Sequence, residues 1–246
     1  MTIFIYILLA TILISLLGLA GKFLFWIKDN KLQKLLIYFV AFSAGALLGG
    51  AFFHLLPEGL EIIGETKLFF ITIIGFLFFM IIEGYFHWHQ CEKCETHPFS
   101  YTMLIGDGIH NLIDGLIIAA TFSSSIQIGI IITLMVMIHE LPQEIGLFGS
   151  LIYAGHKKSK ALWYSFLAQL TVILGGMIGY LISEKIEILS GFLIAFAAGG
   201  FIYIAASDLV PEVHKSYKGN FKKSVFSILT LFLGISLMVA LKYFGE

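Results

Sequence analysis

The sequence predicts an all-α polytopic membrane protein with eight transmembrane helices. Of its 246 residues, 59% are hydrophobic and only 13% are charged, and the apolar residues fall into eight long runs. A soluble domain has about a quarter charged residues, so this chain has too few charges to cover a globule. The sequence has no evenly spaced segments of alternating polarity, which argues against a membrane barrel.

Each apolar run is long enough to cross a bilayer, which takes about 20 residues in a helix. The first run has no basic leader and is longer than the core of a signal peptide, so we expect a retained helix. Short connections between the runs predict a single transmembrane domain over residues 1–246. The predicted spans are Ile3–Ile27, Leu35–Leu56, Leu68–Phe86, Ser100–Phe122, Ile126–Ala154, Ala161–Ile182, Leu189–Val210 and Phe221–Tyr243.

The distribution of lysine predicts the orientation of these helices. All 15 basic residues are lysine; 12 lie in or beside the first, third, fifth and seventh connections, and 3 lie on the other side. Positive residues collect on the cytoplasmic side of membrane proteins, so we expect both termini outside. The net charge of −1 leaves no basic excess for binding nucleic acid.

Residues 41–58 and 195–212 are similar at a constant offset of 154, with eight of 18 positions identical. Both segments end in Pro-Glu, at Glu58 and Glu212. The second helix would run outward and the seventh inward, so helices one to three would match helices six to eight in inverted orientation around a central pair. This 3+2+3 inverted repeat is typical of secondary transporters. The alternative is that two small-residue helices converged on one packing solution.

The fourth and fifth predicted helices each carry four polar side chains near mid-span. Ionisable groups at that depth cost several kcal/mol unless they are paired or metal-bound. Imidazole, carboxylate and amide donors one turn apart suit a divalent cation, whereas a proton relay and a hydrogen-bonded network between the helices are the alternatives. The residues are Asp107, His110, Asn111 and Asp114, followed by His139, Glu140, Gln143 and Glu144.

These motifs resemble a known family. HNLIDGLIIAATF (His110–Phe122) and HELPQEIG (His139–Gly146) are similar to the fourth- and fifth-helix signatures of the ZIP (Zrt/Irt-like) metal transporters, and AFSAGALLGGAFFHLLPEG is similar to the second helix. The resemblance covers essentially the whole chain. It implies a secondary transporter that moves Zn²⁺, and in some members Fe²⁺, Mn²⁺ or Cd²⁺, into the cytoplasm by alternating access. The divalent metal would be the substrate, without an organic cofactor.

The resemblance also implies which residues bind the metal. Gln143 stands where many relatives have His or Glu, and Leu147 stands where they often have Asp. The sixth span has no acidic residue, so we expect one well-formed metal site with a weaker neighbour. The plasma membrane is the expected location, and the chain could form a homodimer. The implied ligands are His110, Asn111, Asp114, His139, Glu140, Gln143 and Glu144.

Polar residues outside the central cluster suggest a transport pathway and a metal loop. Entrance and exit residues would be His54, Glu58, Asp107, Asp208 and Glu212, of which those near the membrane surface could instead simply be solvated. Residues 87–98 form a short polar loop on the predicted cytoplasmic side, with the CxxC spacing of a zinc site. We interpret it as a metal-buffering or sensing loop, with a merely polar loop as the alternative. Its candidate ligands are His87, His89, Cys91, Cys94 and His97.

Three other functions compete with inward metal transport. An intramembrane metalloprotease would need HExxH, but Gln143 replaces the second histidine and Pro142 lies inside the motif. We therefore do not expect an enzyme. A proton-coupled carrier for another solute is the second alternative, and it would need a roomier cavity. A metal exporter is the third; the predicted topology and the resemblance disfavour it, but charge alone does not set the direction of transport.

The lysine distribution places Cys91 and Cys94 in the cytoplasm. A membrane-impermeant thiol reagent should label them only after the membrane of right-side-out cells has been opened. Labelling in intact cells would invert the predicted topology and, with it, the direction of transport.

Overall fold

The computed structural model describes residues 2–26, 28–89, 97, 99–182, 186–215 and 221–245. All regular structure in these residues is helical, and eight spans are long and apolar enough to cross a membrane. The predicted all-α, integral multi-pass membrane fold is therefore confirmed. The spans are Ile3–Trp26, Asn30–Ile63, Glu65–Tyr85, Phe99–Ser123, Gly129–Tyr153, Lys158–Leu181, Gly191–Lys215 and Phe221–Tyr243.

Four spans belong to single α-helices, and the other four change geometry along their length. The single helices are Glu65–His89, Phe99–Ser124, Ile126–Tyr153 and Phe221–Gly245. The first span passes from an α-helix, Thr2–Ser15, into a 3₁₀ helix, Leu16–Trp26. The sixth consists of Lys158–Gln169 and Thr171–Leu181, joined at Leu170.

The second and seventh spans both contain a short π-helix. In the second span, Asp29–Gly50 is followed by the π segment Ala51–Leu55 and by Leu56–Ile63. In the seventh, Ile186–Tyr203 is followed by the π segment Ile204–Leu209 and by Val210–Lys215.

A proline explains each of these π segments. Pro57 and Pro211 have no N–H to donate to the carbonyl four residues earlier, so the helical ladder widens just before them. The N–H of Leu56 donates to the Ala51 carbonyl, and the N–H of Val210 donates to the Ala205 carbonyl. These two bonds are related by the same offset of 154 that relates the two sequence segments.

The second span is longer than predicted. It continues past Leu56 to Ile63 and ends at Gly64, whose φ of 76° favours glycine. Glu58 and Glu61 shorten the apolar run in the sequence but do not interrupt the helix. His54 and Glu58 consequently lie within the span rather than at its end.

Glycines bring helix backbones into direct contact in a paired pattern. A Cβ on Gly45 would lie 2.0 Å from the Leu231 carbonyl oxygen of the eighth span, and one on Gly199 would lie 2.0 Å from the Thr72 carbonyl oxygen of the third. Gly45 and Gly199 are partners in the sequence repeat. These reciprocal contacts support the inverted repeat, which otherwise stays a prediction.

The fourth and fifth helices are enclosed by similar close contacts. A Cβ on Gly115 of the fourth helix would lie 2.1 Å from the Val172 carbonyl oxygen of the sixth span. Gly149 of the fifth helix faces the ring of Phe39, and Gly21 of the first span faces the ring of Phe148. The central pair is thus held between the flanking spans by contacts that leave no room for side chains.

A hydrogen bond joins the turn after the fifth helix to the start of the fourth helix. The His156 ring is buried, and its Nε2 lies 3.0 Å from Oγ of Ser100. Burial, with the nearby charge of Lys160, lowers the pKa of His156. The buried His156 ring therefore joins the two central helices at the end opposite the 124–126 connection.

Replacing Gly45 by alanine should weaken the bundle, because the new methyl group would meet the Leu231 carbonyl. We expect a loss of about 1 to 3 kcal/mol, typical of overpacking, measured as a lower Tm of the purified protein in detergent. Gly84→Ala is the matched control, since a Cβ at Gly84 has no neighbour within 4 Å. Equal Tm values for the two variants would contradict this account of the packing.

Candidate metal centre

Four side chains from the fourth and fifth helices meet in a ring of alternating nitrogen and oxygen atoms. His110 Nε2 lies 3.3 Å from Glu140 Oε1 and 3.8 Å from Asp114 Oδ2. His139 Nε2 lies 3.3 Å from Asp114 Oδ2 and 3.5 Å from Glu140 Oε1. One ligand atom from each residue lies within 4.8 Å of all the others.

This spacing fits a small divalent cation. Zinc ligands lie about 2.0 to 2.2 Å from the metal, so neighbouring ligands of a tetrahedral zinc are about 3.3 to 3.6 Å apart. The four ring distances of 3.3 to 3.8 Å are close to that value. A metal would therefore need only small side-chain adjustments to bind.

The ring atoms have no hydrogen-bond partners to satisfy them. The buried atoms without a partner include Nε2 of His110 and His139, Oδ2 of Asp114 and Oε1 of Glu140. Groups buried in this way are costly, because burial removes the water that would otherwise bind them. The same atoms lie within ion-pair distance of one another across the two helices, but none of them has the geometry of a hydrogen bond. A divalent cation would supply the missing partner for all four, whereas a network between the helices would have to rely on these ion pairs.

Helical periodicity explains why these four residues meet. His110 and Asp114 are four residues apart and lie on one face of the fourth helix. His139 and Glu140 lie opposite them on the fifth helix, where Pro142 follows inside the helix. Pro142 has no N–H to donate to the Ile138 carbonyl. The fifth helix is therefore weakened next to its two ligands.

A cavity of about 380 Å³ leads from one end of the bundle to the ring. His54, Glu58 and Glu61 of the second span line it, and Lys242 of the eighth span lies near its mouth. His54 Nε2 lies 2.8 Å from the Met238 carbonyl oxygen. Its ring centroid is 6.3 Å from that of His139. The predicted pathway residues His54 and Glu58 are thus brought to the site.

The opposite side of the ring is nearly closed. A small cavity of about 30 Å³, large enough for one water, is lined by Asp107 and Gln143 among apolar neighbours that include Met103 and Phe201. Gln143 lines this cavity and the larger one, so it lies between them. Asp107 therefore lies on the side of the ring that faces away from the open cavity.

Asn111 and Glu144 lie beside the ring rather than within the four-residue cluster. The Asn111 amide nitrogen donates to the carboxylate of Asp107 at 3.2 Å and to its carbonyl at 3.0 Å. Its amide oxygen accepts a hydrogen bond from Gln169 of the sixth span. Glu144 is fully buried, and neither of its carboxylate oxygens has a hydrogen-bond partner. Asn111, Gln143 and Glu144 remain predicted ligands.

Sequence reasoning missed the role of Gln169. It is fully buried, and its amide fixes the orientation of Asn111. The signal available in the sequence was that Gln169 is the one long polar side chain in an otherwise apolar span. Its partner on the fourth helix is 58 positions away and could not be read from spacing.

Asp208 and Glu212 are not brought to the ring. Asp208 neighbours Glu83 of the third helix, which in turn accepts a hydrogen bond from Tyr203. Glu212 accepts from Tyr153 at 3.0 Å and pairs with Lys215 at 2.9 Å. Their predicted place in the transport pathway stays a prediction.

The predicted metal loop is described only in part. His87 and His89 belong to the end of the third helix, which extends to residue 89. His97 is exposed, and its backbone N–H donates to the Ala154 carbonyl at 2.9 Å. Cys91 and Cys94 lie outside the described residues, so metal binding by this loop stays a prediction.

Comparison with known proteins identifies the family. The family model of the ZIP zinc transporter matches residues 1–100 and 87–242. This chain belongs to the ZIP family. The expected resemblance is confirmed, and the ring lies on the two helices that carry its fourth- and fifth-helix motifs.

Several curated relatives match over more than half of the chain. Zinc transporter ZIP13 of Pongo abelii is 30% identical over 226 residues, which is 84% of this chain and 67% of that protein. Zinc transporter YKE4 of Saccharomyces cerevisiae is 26% identical over 249 residues, 86% of this chain and 72% of that protein. IAA-alanine resistance protein 1 of Arabidopsis thaliana is 37% identical over 155 residues, 61% of this chain and 33% of that protein.

The bond between Gln169 and Asn111 can be tested with a double-mutant cycle. Gln169→Leu and Asn111→Leu should each lower the stability by about 1 to 3 kcal/mol, because each leaves a buried polar partner unsatisfied. The double variant should lose less than the sum of the two, measured as Tm in detergent. Strictly additive losses would mean that the two amides are not coupled.

Proposed function

We propose that the chain is a secondary transporter that moves divalent metal cations, with Zn²⁺ the first candidate, rather than an enzyme. The observation that carries the proposal is the ring of two imidazoles and two carboxylates at the bottom of a cavity open to one end of the bundle. Two imidazoles and two carboxylates suit Zn²⁺ and also admit Fe²⁺ or Mn²⁺. The relatives named as zinc transporters support the same cargo.

A metalloprotease is disfavoured by the arrangement of the ring. The general base of such an enzyme lies beside the metal and not among its ligands, whereas Glu140 faces both histidines of the ring. No second histidine follows one turn after His139, because Gln143 occupies that position. A carrier for a larger solute is disfavoured too, since the cavity narrows to a ring of ion-sized spacing.

Transport would proceed by alternating access. The cavity opens at the end of the bundle that carries the 63–65 and 124–126 connections. On the other side of the ring, only a cavity of about 30 Å³ lies beside Asp107 and Phe201. A rearrangement of the flanking spans about the central pair would open the closed side and shut the open one.

The lysine distribution supports an orientation in which the open cavity faces out, and inward transport is what the family resemblance implies. The 3+2+3 repeat would supply the two related halves that move, and the plasma membrane would be the site of uptake. We also propose that residues 87–98 form a loop that buffers or senses metal, and that the chain forms a homodimer. Impermeant thiol labelling and the oligomeric state in detergent test these parts separately from the metal site.

His110→Ala and Asp114→Ala should each abolish metal uptake into proteoliposomes. Each change removes one of the four ring donors, and insertion should survive because the loss of a buried polar group lowers the cost of transfer into the bilayer. The measurement is ⁶⁵Zn²⁺ uptake per milligram of inserted protein.

His214→Ala and Glu65→Ala are matched controls of the same residue classes. Both residues are exposed and lie outside the cavity lining, so uptake should stay at the wild-type level. Wild-type uptake by the His110 and Asp114 variants would overturn the metal-site proposal.

A further inference from the structure

A second cavity lies on the lipid-facing surface behind the metal centre. This groove has a volume of about 460 Å³ and runs between the second, fifth and eighth spans. Its walls are apolar, and the Thr230 hydroxyl at its edge donates to the Phe226 carbonyl at 2.7 Å. The groove therefore suits a hydrocarbon chain rather than an ion. The residues that line it include Leu35, Tyr38, Phe42, Pro142, Ile145 and Thr230.

Lys31 lies at the end of the groove, on the second helix. Lys31, Leu35, Tyr38 and Phe42 follow one another at intervals of four, three and four residues, which places them on one face of the helix. Lys31 is exposed and lies one turn before the first groove residue. Its long side chain can cover apolar surface while its ammonium group stays at the membrane surface.

A second lysine takes the same position on the eighth helix. Lys223 lies seven residues, or two turns, before Thr230 and therefore on the same helix face. Phe42 and Gly234 are in contact, and Lys31 and Lys223 each lie eleven residues before that contact. Gly45 of the same helix also contacts Leu231, and together these contacts place the two lysines within about one turn of each other in height, below the groove.

We infer that this groove binds an anionic phospholipid. Its acyl chain would lie against Tyr38, Pro142 and Thr230, and its phosphate would lie between Lys31 and Lys223. An apolar slot that ends in two cations complements a lipid with a negative headgroup. Lysine-rich ends face the cytoplasm, whose leaflet carries the anionic lipids.

The site places a lipid behind the metal ligands. Leu141, Pro142 and Ile145 line the groove on the helix that carries His139 and Glu140 in the ring. A bound acyl chain would fill the outer surface at the proline, where the helix lacks a backbone hydrogen bond. Lipid binding is measured without metal, so its result does not depend on whether the chain transports metal.

The test uses the purified full chain reconstituted in vesicles of equal parts phosphatidylglycerol and phosphatidylcholine. After extraction in detergent, native mass spectrometry measures the lipids that the protein retains. Wild type should retain phosphatidylglycerol preferentially. Lys31→Gln and Lys223→Gln should each reduce that preference about fivefold, as expected for one lysine near a charged headgroup.

Two further variants show whether the retained lipid occupies this groove. Lys22→Gln combined with Lys157→Gln removes two exposed lysines at the same end of the bundle and should leave the preference unchanged. Thr230→Phe fills the groove and should lower the retention of both lipids, with a wild-type elution profile as the check on folding.

Three outcomes would overturn the inference. The first is an identical lipid preference in the Lys31, Lys223 and control variants. The second is unchanged retention in Thr230→Phe. The third is a protein dimer that Thr230→Phe converts to monomer without a change in bound lipid, since a second copy of the chain would then occupy the groove.

Discussion

The energetic cost of burying four ionisable groups in a bilayer constrains the rest of this bundle. His110, Asp114 and Glu140 are almost completely buried, and His139 is exposed only towards the cavity. Their ligand atoms have no hydrogen-bond partners and face one another. Such an arrangement is costly when empty and favourable around a cation, because the metal replaces the missing partners. A small free-energy difference between the empty and the metal-bound site suits a carrier, because a carrier must release the metal that it binds.

The surrounding helices isolate this cluster from lipid by close backbone packing. Gly45, Gly115 and Gly199 each face a carbonyl oxygen of a neighbouring helix. In a membrane the helices gain little from burying apolar surface against each other, so close contact between small residues supplies the association. The glycine contacts also leave smooth surfaces between the central pair and the flanking spans. Sliding along such surfaces needs little repacking of side chains.

The sequence predicted the parts of the site that depend on helical periodicity. His110 and Asp114 are one turn apart, and mid-span depth identified them as buried together with His139 and Glu140. The fold class followed from the apolar runs alone. The end of the second span was less predictable, because Glu58 and Glu61 interrupt the apolar run although the helix continues to Ile63.

Contacts between distant segments were beyond prediction from one sequence. The bond from Gln169 to Asn111 depends on how the sixth span packs against the fourth. The position of Gln143 between two cavities depends on the local rotation of the fifth helix. The π segments before Pro57 and Pro211 follow from proline chemistry, but proline more often kinks or ends a helix. Each of these features is determined by contacts between neighbouring helices, which one sequence does not reveal.

X-ray absorption at the zinc edge tests the central claim most directly. The sample is the protein with Cys91→Ser and Cys94→Ser, loaded with one equivalent of Zn²⁺, so that these two thiols contribute no ligands. The ring predicts a shell of nitrogen and oxygen about 2.0 to 2.1 Å from the metal, with the outer-shell scattering of two imidazoles. His139→Ala should remove one imidazole from that spectrum. A shell without imidazole scattering, or a spectrum unchanged by His139→Ala, would contradict the assignment.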